Sequence, residues 1–205
     1  PLARAVTVSF DFTSKEFSTF SGLFKKVHKS KAVWTGNPVR KTVLAGSEAQ
    51  ARKIFNLSHD YPTILVLGGA AGAARLNEVV IESLPELTNY VQVIHATGGR
   101  IPEGKKLDNP RYHAYNFLGP ELKHAYAVSD LVVCRGGMST IAELSILGKC
   151  AIVIPLADSS QEDNVRVLAY LKSAVGVFEE FLTPELLVRL VRKILWSKEM
   201  QAVLK

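Results

Sequence analysis

Apolar residues along this chain switch back and forth between two periods. Thr63–Leu67 (TILVL) is a short continuous apolar run ending in Gly68-Gly69, the pattern of a strand buried on both faces. Ala73–Leu87 follows with Leu76, Val79, Val80 and Leu84 at helical spacing. The alternation then repeats. Strands are predicted at Val91–His95, Arg111–Phe117, Leu131–Cys134, Ala151–Pro155 and Val175–Phe178, and helices at Glu121–Val128, Ser139–Leu147 and Gln161–Lys172. Gly148 is placed to terminate its helix. A last helix starts at Thr183-Pro184-Glu185, where threonine caps, proline fits the first turn and glutamate complements the helix dipole. Its stripe of Leu186, Leu187, Leu190, Val191 and Leu195 reads as core packing. Strand–helix alternation of this kind predicts an α/β fold, a Rossmann-like doubly wound parallel sheet with helices on both faces.

The first sixty residues break this rhythm. Ala5–Phe10 reads as a strand, Asp11–Ser21 as polar and turn-rich, Ala32–Trp34 as apolar, Thr35-Gly36-Asn37-Pro38 as a turn and Ala49–Phe55 as a helix. Residues 1–30 are expected to be the remnant of a preceding domain and 31–60 an interdomain connector with the first elements. Residues 61–205 then form the binding domain, and the chain is expected to begin inside a larger protein.

Composition narrows the classes. At 205 residues, 47% hydrophobic and 21% charged, the chain suits a folded globular domain and not a disordered one. Its longest apolar stretches are far short of the ~20 residues that span a bilayer. Two cysteines, Cys134 and Cys150, are too few for a disulfide framework and lack zinc-site spacing, so they read as buried thiols. The formal charge of +6 favours anionic partners. Its basic clusters, Lys25, Lys26, Lys29 and Lys31 and then Arg189, Arg192, Lys193 and Lys198, fit solvated faces as well as binding surfaces. No nucleic-acid-binding signature accompanies them. The five histidines are scattered, none at metal-ligand spacing, so no metal or cofactor is expected and no histidine is assigned to catalysis.

In an open parallel sheet, ligands bind beyond the carboxyl ends of the strands. Three segments there carry chemistry. Gly68-Gly69-Ala70-Ala71-Gly72-Ala73-Ala74 joins a strand to a helix, so it reads either as a phosphate cradle at a helix N-terminus or as a tight turn that needs small residues. It is neither a dinucleotide fingerprint nor a P-loop, which argues against a dehydrogenase. In Arg135-Gly136-Gly137-Met138-Ser139-Thr140-Ile141-Ala142-Glu143, the carboxylate either accepts hydrogen bonds from a ribose diol or faces solvent while Ser139 caps the helix. Gln161 and Asn164 share a helix face and either read sugar hydroxyls together or belong to an acidic first turn with Asp158 and Asp163.

Taken in order, these segments resemble the C-terminal half of the MurG-like family of GT-B glycosyltransferases. Thr35-Gly36-Asn37-Pro38-Val39-Arg40 is similar to that family's connector motif. Gly68-Gly69 through Gly72-Ala73 with Leu76-Asn77 is similar to its donor loop, and Val132–Arg135 with Gly137, Thr140 and Glu143 to its nucleotide-binding segment. Val8-Ser9-Phe10 looks like the tail of its N-terminal domain.

The resemblance implies that the chain binds UDP-N-acetylglucosamine, and that the whole enzyme passes the sugar with inversion to a lipid-linked muramyl pentapeptide in peptidoglycan synthesis. On that reading Arg40 lies near the diphosphate, the backbone of Gly69, Ala70, Ala71 and Gly72 holds it, and Gly119 to Leu122 flank the uracil. Glu143 takes the ribose, Met138, Ser139 and Thr140 line the sugar, and Gln161 and Asn164 meet its hydroxyls. The general base and the acceptor site are expected on the absent N-terminal half, so none of these residues is assigned to catalysis and this portion alone is expected to be inactive. A lipid-linked acceptor implies a cytoplasmic protein in peripheral contact with the inner face of the cell membrane. The chain departs from the family's pattern with Ala70-Ala71 in place of Ser-Gln, Ala74 in place of arginine with Arg75 beside it, and Ser160 in place of histidine. Alternatives are a related transferase with another sugar or acceptor, a stand-alone donor half that docks on a membrane-anchored partner, and a non-catalytic nucleotide-sugar-binding module.

Overall fold

The computed structural model describes residues 6–8, 32–68, 73–99 and 108–204. The chain divides into two compact units, Pro1–Val39 and Arg40–Lys205. In the first, β1 (Val6–Val8) pairs in parallel with β2 (Ala32–Trp34). The expectations placed on Ser9 to Lys31 lie outside the described residues.

The second unit is the predicted sandwich. After a 3-10 turn at Lys41–Ala45 come α1 (Glu48–Ile54), β3 (Thr63–Leu67), α2 (Ala74–Leu87), β4 (Gln92–Ala96) and β5 (Tyr112–Tyr115). Then follow α3 (Leu122–Val128), β6 (Leu131–Arg135), α4 (Met138–Leu147), β7 (Ala151–Ile154), α5 (Gln161–Tyr170), β8 (Val175–Gly176), α6 (Pro184–Trp196) and α7 (Lys198–Leu204). The six strands from β3 to β8 form one parallel sheet in the order β5-β4-β3-β6-β7-β8. Successive crossovers therefore run outward from β3 in one direction and from β6 in the other, the arrangement of dinucleotide-binding sheets.

Side-chain alternation along β3 divides the core. Ile64 and Val66 join Leu76, Val80 and Leu84 of α2 and Leu187, Val191 and Ile194 of α6 in one apolar cluster. Across the chain α1 packs on α3, and the Ser47 N–H donates to Nδ1 of His124. Two helix ends follow their local chemistry as expected. Gly148 closes α4 in the left-handed conformation (φ 59°), and the Thr183 side chain accepts from Leu186 N ahead of Pro184.

Several expected elements are shorter than their apolar runs. The strand expected over Arg111–Phe117 ends at Tyr115; one further backbone bond, Gly98 N to Asn116 O, follows it, and Phe117 is 80% exposed. Ser139 does not cap α4: Gly137 holds that position and no side chain caps the helix. Cys134 and Cys150 are buried free thiols, and burial pushes Cys134 up to about 12.

A buried polar chain ties the carboxyl edge of the sheet together. Asn77 in α2 donates through Nδ2 to the Thr97 carbonyl at 2.9 Å, which leaves its Oδ1 to accept from His95 Nε2 at 3.0 Å. His95 Nδ1 is then the acceptor for the Tyr112 hydroxyl at 2.9 Å. Burial pushes His95 down from 6.5 to about 4, so below pH 6.5 the unfolded chain binds a proton here that the folded chain refuses. Its stabilising effect is complete above pH 6.5 and declines as the pH falls toward 4. Between pH 7.5 and 4.5 this residue alone should cost the fold about 2 to 3 kcal/mol. Urea unfolding of His95→Gln, compared with wild type at both pH values, should show an acid loss smaller by that amount. Equal losses in the two proteins would contradict the assignment.

Candidate functional site: a buried carboxylate at the carboxyl edge

Where the crossovers diverge, the carboxyl ends of β3 and β4 and the segment after β5 border a cavity of about 370 Å³. Leu67, Ala96, Gly98 and the run Asn116–Leu118 form its strand side. Leu122 and Tyr126 of α3 and Ser139, Thr140 and Glu143 of α4 form its helical side. Arg40 closes it, and Arg40 and Glu143 are its charged lining residues. A second, open groove of about 650 Å³ runs along α6 between Glu86 and Trp196. It lies on a helix face rather than at the strand ends, and the solvated pair Arg192–Glu86 crosses it.

Glu143 is only 4% exposed, and a carboxylate so placed costs several kcal/mol unless its oxygens are paired. Arg40 donates to Oε1 through Nε at 2.8 Å and approaches the same oxygen with its Nη2 at 2.7 Å. The Tyr126 hydroxyl donates to Oε2 at 3.0 Å. Both oxygens are thus satisfied by charge-assisted bonds, the Arg40 contacts being the shorter. Burial first, then the Glu143 charge, holds the Tyr126 phenol well above its usual range, so it remains a donor. Arg40 reaches this position because the 3-10 turn behind it lies close on α3. A Cβ on Gly46 would stand 2.1 Å from the Lys123 carbonyl oxygen.

The expected site residues fall into three groups. Arg40, Leu122, Ser139, Thr140 and Glu143 are brought together around the cavity, and the chain bend at Gly119 and the first residue of α4, Met138, adjoin it. Gln161 and Asn164 do not line it. Gln161 Oε1 accepts from Leu156 N at 3.1 Å and Asn164 Nδ2 donates to the Gly136 carbonyl at 2.9 Å, so both brace the loops at the ends of β6 and β7. Gly69, Ala70, Ala71 and Gly72 lie outside the described residues. Arg75 turns to the Leu182 carbonyl at 3.3 Å and to Glu78 at 3.7 Å.

The structure adds residues that pattern reading did not pick out. Tyr126 sits one turn beyond Leu122 on the same face of α3, and that spacing was the available signal. Phe117 was read as strand and instead stands at the cavity mouth. The pairing of Arg40 with Glu143, 103 positions apart, has no local signature at all. Among the described residues, no group of histidines, cysteines or carboxylates is arranged to hold a metal ion.

Residues 63–203 match the glycosyltransferase family 28 C-terminal domain. The chain belongs to that family. A relative from Thermodesulfovibrio yellowstonii, a UDP-N-acetylglucosamine–N-acetylmuramyl-(pentapeptide) pyrophosphoryl-undecaprenol N-acetylglucosamine transferase, is 33% identical over 97% of this chain and 54% of its own length. The transferase of the same name from Citrifermentans bemidjiense is 38% identical over 86% of the chain and 50% of its own length. The chain thus spans about half the length of the curated relatives it matches. Among solved structures, Acinetobacter baumannii MurG superposes with a TM-score of 0.63 at 23% identity, over 83% of this chain and 50% of that one. A kitacinnamycin glycosyltransferase superposes at 0.68 and 17% identity, over 88% and 45%. The six-stranded sheet is therefore the α/β half of a GT-B glycosyltransferase fold, as expected of this family.

Arg40 is 64% exposed at its side chain, so the ion pair is partly screened on its outer side. Arg40→Ala should destabilise the family 28 domain by about 1 to 2 kcal/mol, because it strips a buried carboxylate of one partner. Combining it with Glu143→Gln should give less than the summed losses, by about 1 kcal/mol in a denaturant double-mutant cycle. Strict additivity would show that the pair is not coupled.

Proposed function

We propose that this chain is the donor-binding half of an inverting glycosyltransferase that moves N-acetylglucosamine from UDP-N-acetylglucosamine to an undecaprenyl-diphosphate-linked N-acetylmuramyl pentapeptide. The observation that carries the reading is Glu143: a carboxylate buried at the carboxyl edge of an open parallel sheet, in a cavity sized for part of a nucleotide. The uridine enters this cavity, its base against the segment from Gly119 to Leu122 and its ribose hydroxyls at the Glu143 carboxylate. The N-terminus of α4, uncapped by any side chain, faces the sugar through Met138, Ser139 and Thr140. The diphosphate lies between Arg40 and the backbone of Gly69 to Gly72, with Ala70 and Ala71 contributing N–H groups and no side-chain donor. Gln161 and Asn164 hold the α5 end of the site and meet the sugar hydroxyls with the valences their loop contacts leave open.

In the transfer itself the acceptor hydroxyl forms a bond to the anomeric carbon as the bond from that carbon to the diphosphate breaks. UDP leaves with the bonding electrons, and the hydroxyl proton passes to a base. No residue here is assigned as that base, so the base, the acceptor site and catalysis belong to the part of the relatives that this chain does not span. The lipid-linked acceptor places the working enzyme in the cytoplasm, at the inner face of the membrane and in peripheral contact with it. On this reading residues 1–30 are assigned to the acceptor domain, 31–60 to the connector and 61–205 to the donor domain. No helix among the described residues is long and apolar enough to cross a membrane.

Calorimetric titration of this chain with UDP-N-acetylglucosamine, UDP-glucose, UDP and NAD tests the reading, with tightest binding expected for the first and none for NAD. Glu143→Ala should weaken UDP binding about tenfold or more, since hydrogen bonds to a charged group carry about 1.5 to 3 kcal/mol. An unchanged affinity in a folded variant would remove Glu143 from the ribose.

A further inference from the structure

Glu143 is gripped from two sides by groups of opposite character. On the inner side Tyr126 is 1% exposed and stays protonated, and its hydroxyl spends itself on Oε2 at 3.0 Å. On the outer side Arg40, with a side chain 64% exposed, holds Oε1 alone through Nε and Nη2. The two contacts differ in what breaking them entails. The Tyr126 phenol is buried and exchanges its partner at a cost, whereas a guanidinium at the surface is solvated at once. Oε2 is therefore permanently occupied, and Oε1 is the exchangeable oxygen. The terminal torsion of a glutamate is broad and roughly two-fold, so without an anchor the carboxylate would swing between orientations. The Tyr126 bond selects one of them, with Oε1 toward Arg40 and the cavity.

We infer that Tyr126 is a positioning residue that locks Glu143 so that Oε1 is offered to a sugar hydroxyl of a bound nucleoside diphosphate, and that Arg40 is the group this hydroxyl displaces. The inference rests on the reading of Glu143 as the ribose acceptor. It adds how one carboxylate oxygen comes to be aimed, and why the residue that closes the cavity is itself a cation. Once displaced, Arg40 finds a new anionic partner in the diphosphate of the same ligand, while a plain nucleoside offers it none. Tyr126 acts through Glu143, its hydroxyl committed to Oε2.

The test is calorimetry on the full chain with UDP, 2′-deoxy-UDP and 3′-deoxy-UDP. Wild type should bind at least one deoxy analogue about tenfold more weakly than UDP, the value of a hydrogen bond to a charged acceptor. Tyr126→Phe should cut that discrimination about threefold or more while leaving the affinity for the weaker analogue and the fold, followed by thermal unfolding, in place. Arg40→Gln should weaken all three ligands alike and keep the discrimination. A Tyr126→Phe protein with the wild-type ratio overturns the inference and leaves the ribose reading standing. Discrimination lost in Arg40→Gln but not in Tyr126→Phe overturns it as well, because the displaced group would then be the reader. Wild type binding all three ligands equally overturns the ribose reading, and this inference with it.

Discussion

Right-handed crossovers leaving two neighbouring strands in opposite directions cannot cover the edge between those strands. In this chain the strands are β3 and β6, which pair directly while their helices go to opposite sides of the sheet. The resulting cleft is a consequence of chain topology and exists before any side chain is specified. The first turns of α3 and α4 stand around it because the strand order brings them there, and Arg40 joins them through the 3-10 turn that packs on α3.

Within that cleft one electrostatic problem has been solved with two partners. Glu143 is a nearly fully buried carboxylate, and neither Tyr126 nor Arg40 alone satisfies both of its oxygens. The solution is asymmetric. A buried donor sits behind the carboxylate and a solvent-exposed cation in front. The His95–Asn77–Tyr112 chain meets the same demand differently, by keeping every member neutral and buried, and it braces the edge on which the cleft opens.

How much of this was legible in the sequence depends on the range of the interaction involved. Thr63–Leu67, the Thr183-Pro184 helix start and the Gly148 stop were readable because each is fixed by residues a few positions apart. The doubly wound architecture followed from the alternation of periods. Strand ends were less legible: Arg111–Phe117, rich in aromatic residues, looks like strand, but the pairing with β4 ends at Tyr115 and Phe117 stands exposed. Glu143 stood out by its place after Gly136-Gly137, yet its burial and its partners did not. Tyr126 looks like one more core aromatic until α3 is laid against α4, and nothing local to Arg40 indicates that it crosses to Glu143. The roles expected of Gln161 and Asn164 came from their shared helix face, while the loop carbonyl and amide they actually brace are invisible to helical spacing.

The central claim is that Glu143 exchanges Arg40 for a ribose hydroxyl while Tyr126 keeps its hold. A crystal structure of this chain with UDP tests it most directly. The account predicts a ribose hydroxyl within hydrogen-bonding distance of Glu143 Oε1, the Arg40 guanidinium turned to the diphosphate, and the Tyr126 bond to Oε2 unchanged. A bound nucleotide with Arg40 still paired to Glu143, and the ribose elsewhere in the cleft, would contradict it.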